Sequence, residues 1–353
     1  MMRHSGIGTY IRNMVPAISQ YRPNFRFTIL CSDLSDARNT FGPEMQYIQT
    51  AAPIYSLVEQ MVIPFRAPAC DLFWSPHYNV PVFAARPVMV TIHDLAHIRL
   101  PELFPQIHKR LYAHVMLKAA ANKARAIICV SDFTKAELLD TLGNRYEGKC
   151  HVVHNGLDPF WLSIPAGASP HPKPYILYVG NVKPHKNISR LLDAFAAVHT
   201  RIPHDLLLVG QQSGFRTGDA SALAKAQAMP DRIHFTGQVD QERLKQYYAH
   251  ATLLAFPSLY EGFGLPALEA FATGCPVLAS RAGPFPEVCG PAAEYVDPYS
   301  VDSIAGGIIK LIEHPARRES LSEQGRQRVR HFSWSSAAEK VAAMMFAVAA
   351  SRG

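Results

Sequence analysis

The sequence predicts an α/β protein of two Rossmann-like, doubly wound parallel-sheet domains facing one another across a cleft. Three observations carry that expectation. Short apolar runs of strand length alternate with amphipathic stretches of helix length along the whole chain, the order that builds parallel sheets. The length, 353 residues, suits about two domains. Composition breaks once, at 164–174, where Pro165, Pro170, Pro172 and Pro174 crowd a segment that resists both helix and central strand.

The chain opens on Gly6-Ile7-Gly8-Thr9-Tyr10, read as a glycine-rich turn, with a helical pattern over Tyr10–Ile18 directly after it. Doubly wound domains commonly place a strand ahead of such a turn. Almost nothing stands ahead of this one, so the first domain is expected to lack its first strand, a central one, as in a truncated chain or one with a misassigned start. Strands are expected at Phe25–Cys31, Asp71–Ser75, Val88–Ile92, Ala126–Ser131 and Cys150–His154. In the second half they are expected at Tyr175–Gly180, Leu206–Gly210, Arg232–Thr236, Thr252–Phe256 and Pro276–Ser280. Helical stretches include Ser189–His199, Gln241–Ala249 and Val301–Glu313. The domains are accordingly 1–163, a linker at 164–174, 175–332, and a closing helix over 333–353 with Ser336 and Glu339 spaced as a capping box.

Composition excludes some classes. Hydrophobic residues at 48% and charged ones at 18% exclude a disordered chain. Thirty-five basic against 28 acidic residues leave +7, compatible with nucleotides, phospholipid surfaces or nucleic acid. A basic helix or an aromatic-studded sheet motif is missing, which disfavours a nucleic-acid-binding module. Six cysteines without a CxxC pair fit buried thiols in a reducing compartment and no zinc site. The apolar run Val341–Ala350 is shorter than the roughly 20 residues that span a bilayer. With no signal segment at the start, the expected location is cytoplasmic.

The most informative segment runs from Phe256 to Ser280. An apolar strand ends near Phe256, and a loop with Gly262 and Gly264 lets backbone amides approach a ligand. Pro266 suits the start of a helix, and Gly274 suits the residue past its end. The loop therefore delivers a helix N-terminus to a sheet edge, a place for phosphate or pyrophosphate. Glu261 and Glu269 flank it. A carboxylate beside an anion is repelled, so both read better as acceptors for sugar hydroxyls.

Glu261 and Glu269 within E-G-F-G-L-P-x-x-E resemble the motif of retaining glycosyltransferases of the GT-B fold, family 4, bacterial mannosyltransferase-like members in particular. Along the chain the resemblance extends to Gly6-Ile-Gly8-x-Tyr10, Ile92-His93-Asp94-Leu95, Val130-Ser131, His154-Asn155-Gly156-Leu157-Asp158, Gly180-Asn181-x4-Lys186-Asn187 and Phe332-Ser-Trp334. It implies that Glu269 binds the ribose hydroxyls and that Glu261 lies by the donor sugar. The amides of Phe263, Gly264 and Leu265 would hold sugar and diphosphate. Lys186 would contact the diphosphate from the loop after Gly180, with Asn187 capping the next helix. Where many relatives have arginine after that glycine this chain has Asn181, for which Lys183 or His185 would partly substitute. His93, at the end of an apolar run, would touch the donor sugar near its reacting carbon; taken alone it reads as a histidine satisfied by backbone, with Asp94 capping the next turn. Gly6 and Gly8 would let backbone approach the diphosphate from the first domain.

Asp-x-Asp is missing from the sequence, and a metal-bound diphosphate generally needs clustered carboxylates. Metal-independent chemistry with no cofactor is therefore expected, cations and amides stabilising the leaving diphosphate. The resemblance implies transfer with retention by front-face substitution, from a nucleotide-sugar read as GDP-mannose, with UDP- and dTDP-sugars as rivals. The acceptor would be a glycan or lipid-linked saccharide of bacterial polysaccharide synthesis. Arg12, Arg22, Arg26, Arg66, Lys109, Arg110, Lys118, Lys123 and Arg125 offer basic groups for an anionic membrane face or a lipid-diphosphate, as readily as an ordinary solvated surface. The rival readings are a sugar-nucleotide epimerase or glycan phosphorylase on the same fold, or a non-catalytic remnant.

Overall fold

The computed structural model describes residues 6–50, 52, 56–83, 85–104, 106–163, 165, 167–210 and 220–351. They form two compact units, one taking the chain as far as Gly156 together with its end from Ser333, the other Leu157–Phe332.

The first unit contains α1 (Gly6–Tyr21), β1 (Thr28–Cys31), α2 (Leu34–Phe41), β2 (Gln46–Gln49), α3 (Leu57–Arg66), β3 (Phe73–Ser75) and β4 (Val88–Ile92). It continues with α4 (Ala96–Arg99), α5 (Ile107–Lys123), β5 (Ala124–Cys129), α6 (Asp132–Leu142) and β6 (Cys150–Val152). Its strands form a four-stranded sheet, order β3-β4-β5-β6, and a separate pair, β1-β2, all parallel. Every residue of β4 is buried, as the continuous apolar run requires of a strand covered on both faces.

The second unit contains β7 (Tyr175–Val179), α7 (Ile188–Val198), β8 (Asp205–Val209), α8 (Ala220–Gln227), β9 (Ile233–Gly237), α9 (Gln241–His250) and β10 (Leu253–Phe256). After these come α10 (Leu265–Ala272), β11 (Val277–Ser280), α11 (Phe285–Cys289), β12 (Ala293–Val296), α12 (Val301–Glu313) and α13 (Pro315–Val329). Its six-stranded parallel sheet has the order β12-β11-β10-β7-β8-β9. The order reverses between β7 and β10, and open α/β sheets bind ligands at the carboxyl ends of strands beside such a reversal.

The last helix, α14 (Trp334–Ala350), belongs to the first unit and packs along α1. Tyr10, Met14 and Ile18 share one stripe of α1 and join Trp334, Ala338, Val341 and Ala342 in one core, spaced as helical periodicity demands.

Three expectations need correction. Gly6 and Gly8 do not lie in a turn ahead of the helix: α1 begins at Gly6, and Gly8 is buried in its first turn. The strand expected ahead of Gly6 lies outside the described residues. The cap of α14 is Ser333, whose Oγ accepts the Ser336 N–H at 3.1 Å, while Glu339 accepts the Tyr21 hydroxyl at 3.2 Å. Finally, the first unit ends at Gly156 and not at 163. Residues 157–163 pack with the second unit because the Leu157 N–H bonds the Phe332 carbonyl at 3.0 Å and Trp161 stands edge-on to Tyr248 at 5.7 Å.

Candidate active site

In the second unit the sequence-predicted residues fall on two loops at the carboxyl ends of β7 and β10. Gly180 follows β7 with φ 149°, and its N–H bonds the Val209 carbonyl at 2.9 Å. Backbones approach closely here: a Cβ on Gly210 would lie 2.1 Å from the Gly180 carbonyl oxygen, so only glycine fits. Asn181 follows, exposed, its carbonyl accepting from the buried Tyr178 hydroxyl at 3.3 Å. Lys183 is also exposed, whereas His185 is buried within a short turn over Pro184–Lys186.

That turn is fastened to the loop after β10. The Leu259 N–H bonds the His185 carbonyl at 2.8 Å. Asn187 occupies the position before α7, yet its side chain makes no capping bond, correcting that expectation. Its amide instead donates to the carbonyls of Pro257 at 2.9 Å and Pro298 at 2.6 Å. Asn187 is also the one non-glycine among the described residues with a positive φ, 60°. An over-determined left-handed residue of this kind holds neighbouring loops in fixed register.

The fastening brings Lys186 Nζ to 2.5 Å from Glu261 Oε1, with Phe256 beneath the ammonium at 6.0 Å from the ring centroid. Lys186 is 20% exposed and Glu261 11%, so the pair faces limited solvent. Gly264 precedes α10 in the left-handed region, φ 104°, and Phe285 lies 3.2 Å from where a Cβ would stand. Phe263 is buried edge-on to Phe332 at 5.7 Å, and Leu265 begins the helix.

Glu269, half-buried on α10, accepts the Tyr248 hydroxyl at 2.9 Å. Burial pushes its carboxyl up to about 7, against the opposing effect of that hydrogen bond. Tyr248 was not singled out by sequence; it sits in the amphipathic stretch of α9, and nothing local connects it with a carboxylate 21 residues on.

In the first unit His93 follows β4, its Nε2 3.0 Å from the Pro76 carbonyl. A carbonyl only accepts, so Nε2 carries the proton and Nδ1 is left as an acceptor. Burial pushes the imidazole down to about 4, against nearby Asp94 and the Pro76 bond, leaving the ring neutral near pH 7. Asp94 caps the next turn, accepting the Ala96 N–H at 3.1 Å. Tyr10, on α1, packs edge-on to His93 with the ring centroids 4.9 Å apart. The structure thus gathers Gly6, Gly8 and His93 in one unit, and Gly180, Asn181, Lys186, Glu261, Phe263, Gly264, Leu265 and Glu269 in the other.

Two parallel-sheet units, one with a glycine-containing loop that opens a helix at a strand's carboxyl end, define an α/β protein built to bind a phosphate-bearing ligand. Comparison with known proteins bears on the class directly. The family model of glycosyl transferases group 1 matches residues 160–328, and that of glycosyltransferase family 4 matches residues 5–160. The chain is 30% identical over 272 residues to O-antigen chain mannosyltransferase B of Escherichia coli, covering 74% of this chain and 71% of that one. It is 33% identical over 242 residues to the MMP alpha-(1->4)-mannosyltransferase of Mycolicibacterium hassiacum, covering 67% of this chain and 57% of the relative. Among solved structures, sucrose-phosphate synthase from Thermosynechococcus elongatus superposes with a TM-score of 0.79 over 98% of this chain and 94% of that one, at 23% identity. The chain belongs to glycosyltransferase family 4, and its fold is GT-B.

Proposed function

We propose that the protein transfers mannose from GDP-mannose, with retention and without a metal, to a hydroxyl of a glycan or lipid-linked saccharide in bacterial polysaccharide synthesis. The mannosyltransferases among its relatives support the sugar and the pathway class. The observation that carries the reading is the Lys186–Glu261 pair beside the N-terminus of α10.

In this reading Glu269 accepts the ribose hydroxyls, and Lys186 and the amides of Phe263, Gly264 and Leu265 receive the diphosphate, with Gly180 and Asn181 shaping the loop. For the first unit the proposal keeps the roles that the resemblance gives, backbone approach to the diphosphate for Gly6 and Gly8 and a donor-sugar hydroxyl accepted at Nδ1 by neutral His93. The bond from the anomeric carbon to the diphosphate oxygen breaks while the acceptor oxygen bonds the same carbon on the same face. The acceptor proton passes to the departing phosphate oxygen, so no side chain serves as a dedicated base. Lysine and amides stabilise the leaving charge, the contribution that usually dominates such catalysis.

Peripheral attachment at the cytoplasmic membrane face is part of the proposal. Helix α5 leaves Ile107, Leu111 and Val115 exposed at four-residue spacing, with Lys109 and Lys118 also exposed. An apolar stripe with basic neighbours suits an anionic bilayer surface. Among the described residues no helix is long and apolar enough to cross a membrane.

The test is transfer by the purified chain from GDP-mannose to a mannosyl acceptor, followed by GDP release and by the anomeric configuration of the product. Retained configuration and full activity in EDTA are expected. An inverted product overturns the mechanism, EDTA sensitivity overturns the metal independence, and turnover with UDP- or dTDP-sugars alone overturns the donor.

A further inference from the structure

At the amino end of the second unit's sheet, away from the two loops of the candidate active site, two histidines and an aspartate converge. Asp205 opens β8, and the pairing of Leu206 with Ile233 and of Leu207 with His234 sets the register. Strand alternation then puts Asp205, Arg232 and His234 on one face of neighbouring strands. His171 joins them from the proline-rich segment ahead of β7. Its carbonyl accepts the Ser169 hydroxyl at 2.8 Å, and its ring stands edge-on to the buried Tyr175 at 5.8 Å.

Both imidazoles aim Nε2 at one oxygen. Asp205 Oδ2 lies 2.8 Å from that of His171 and 3.3 Å from that of His234, and the three side chains offer atoms all within 4.8 Å of one another. A tetrahedral zinc with bonds of about 2.0–2.1 Å sets its ligand atoms about 3.3 Å apart. The other carboxylate oxygen, Oδ1, is taken by Arg232 Nε at 3.0 Å, and that guanidinium also donates to the carbonyls of His199, Ile202 and His204. The carboxylate is thus oriented from behind, as outer partners orient metal ligands. Asp205 is buried while the His234 side chain is 35% exposed, which leaves an entry for an ion and its water.

We propose that His171 Nε2, His234 Nε2 and Asp205 Oδ2 form a zinc site, completed by water, that fastens the proline-rich segment to the sheet. Two nitrogen donors beside one carboxylate oxygen suit zinc and disfavour magnesium and calcium, which take oxygen ligands. On binding, each imidazole carries its proton on Nδ1 and presents the Nε2 lone pair to the ion. Cysteine spacing says nothing of such a site, because the histidines stand 34 and 29 positions from Asp205. Arg232 and Lys173, the latter 3.5 Å from Oδ1, oppose a cation, so micromolar and not nanomolar affinity is expected. The ion takes no part in sugar transfer, whose residues lie at the carboxyl ends of the strands.

The test is equilibrium dialysis of the full chain, first stripped with EDTA, against zinc, with magnesium as the control. Expected are one zinc per chain, no bound magnesium, and a higher Tm with zinc. His171→Gln and His234→Gln should each weaken zinc binding at least tenfold and remove the rise in Tm, with transfer activity unchanged. Lys173→Ala, which removes an opposing charge and no ligand, should tighten zinc binding severalfold. Cobalt in place of zinc should give the intense visible absorption of a tetrahedral ion, a readout that needs no variant. Absence of saturable binding, a Tm that zinc leaves unchanged, or the weak absorption of six-coordinate cobalt overturns the proposal. Zinc held with unchanged affinity by both glutamine variants also overturns it, assigning the ion to other histidines.

Discussion

Lys186 and Glu261 come from loops 75 positions apart, yet Nζ and Oε1 stand 2.5 Å from one another. The carboxylate holds the ammonium in place, and it also competes with any diphosphate for that charge. If Lys186 stabilises the leaving diphosphate, Lys186→Ala should lower kcat by about 100- to 1000-fold, the usual cost of losing one such donor. Glu261→Gln should lower kcat as well but leave GDP binding equal or tighter, because the competitor is gone. GDP titration of both variants beside steady-state rates checks the split; weaker GDP binding by Glu261→Gln would contradict it.

The environment of Glu269 makes donor binding depend on pH. Its carboxyl, pushed up to about 7, must be ionised to accept two ribose hydroxyls. Nucleotide affinity should therefore fall about tenfold per pH unit below pH 7 and level off above it, and Glu269→Gln should flatten the profile. Stability of the ligand-free protein has the opposite trend. The folded state favours the protonated carboxyl, so this contribution is full below the ordinary carboxyl pKa and is lost as pH rises through about 7. Glu269→Gln should consequently raise Tm at pH 8 and not at pH 4, while weakening nucleotide binding. Calorimetric titration and melting across pH 4–8.5 measure both.

Asn187 fastens the Lys186 turn. Asn187→Ala loses two buried hydrogen bonds of about 1 kcal/mol each and places a Cβ residue without local hydrogen bonding at φ 60°, about 1 kcal/mol more. Denaturant unfolding should show a loss of about 3 kcal/mol, and Asn187→Gly a smaller loss because glycine tolerates the backbone.

Asp205 is a charge hub, 1% exposed, with Arg232 at 3.0 Å, His171 at 2.8 Å, His234 at 3.3 Å and Lys173 at 3.5 Å. Burial alone would raise its carboxyl; hydrogen bonds from His171 and Arg232 hold it below the ordinary value. The stability it contributes is present above that ordinary value and is lost as pH falls through the depressed one. Asp205→Ala should destabilise by about 1.5–3 kcal/mol, the cost of charge-assisted hydrogen bonds, because the Arg232 guanidinium keeps the carbonyls of His199, Ile202 and His204. Thermal unfolding at pH 7 tests this.

Ten strands were legible from their apolar runs, and β4 and α12 to the residue. β2 and β12 were not: β2 carries Gln46 and Gln49 at its exposed ends, and Glu294 interrupts β12, so neither reads as an apolar run. The loop around Glu261 was legible because glycine, proline and carboxylate chemistry are local. The partners that position it were not, since Lys186 with Glu261, Asn187 with Pro257 and Tyr248 with Glu269 meet only through the sheet order. The misplaced cap of α14 and the helical Gly6–Tyr10 show the reverse failure, local patterns that tertiary packing overrode.

The account rests on a nucleotide site in the second unit. The direct measurement is thermal shift of the purified chain with GDP, UDP, dTDP and ADP, alongside Glu269→Ala. A ligand at 100 times its Kd stabilises by about 2.7 kcal/mol. A shift of the wild type by GDP that the variant lacks is the predicted result; a folded protein that no nucleotide shifts would contradict the account.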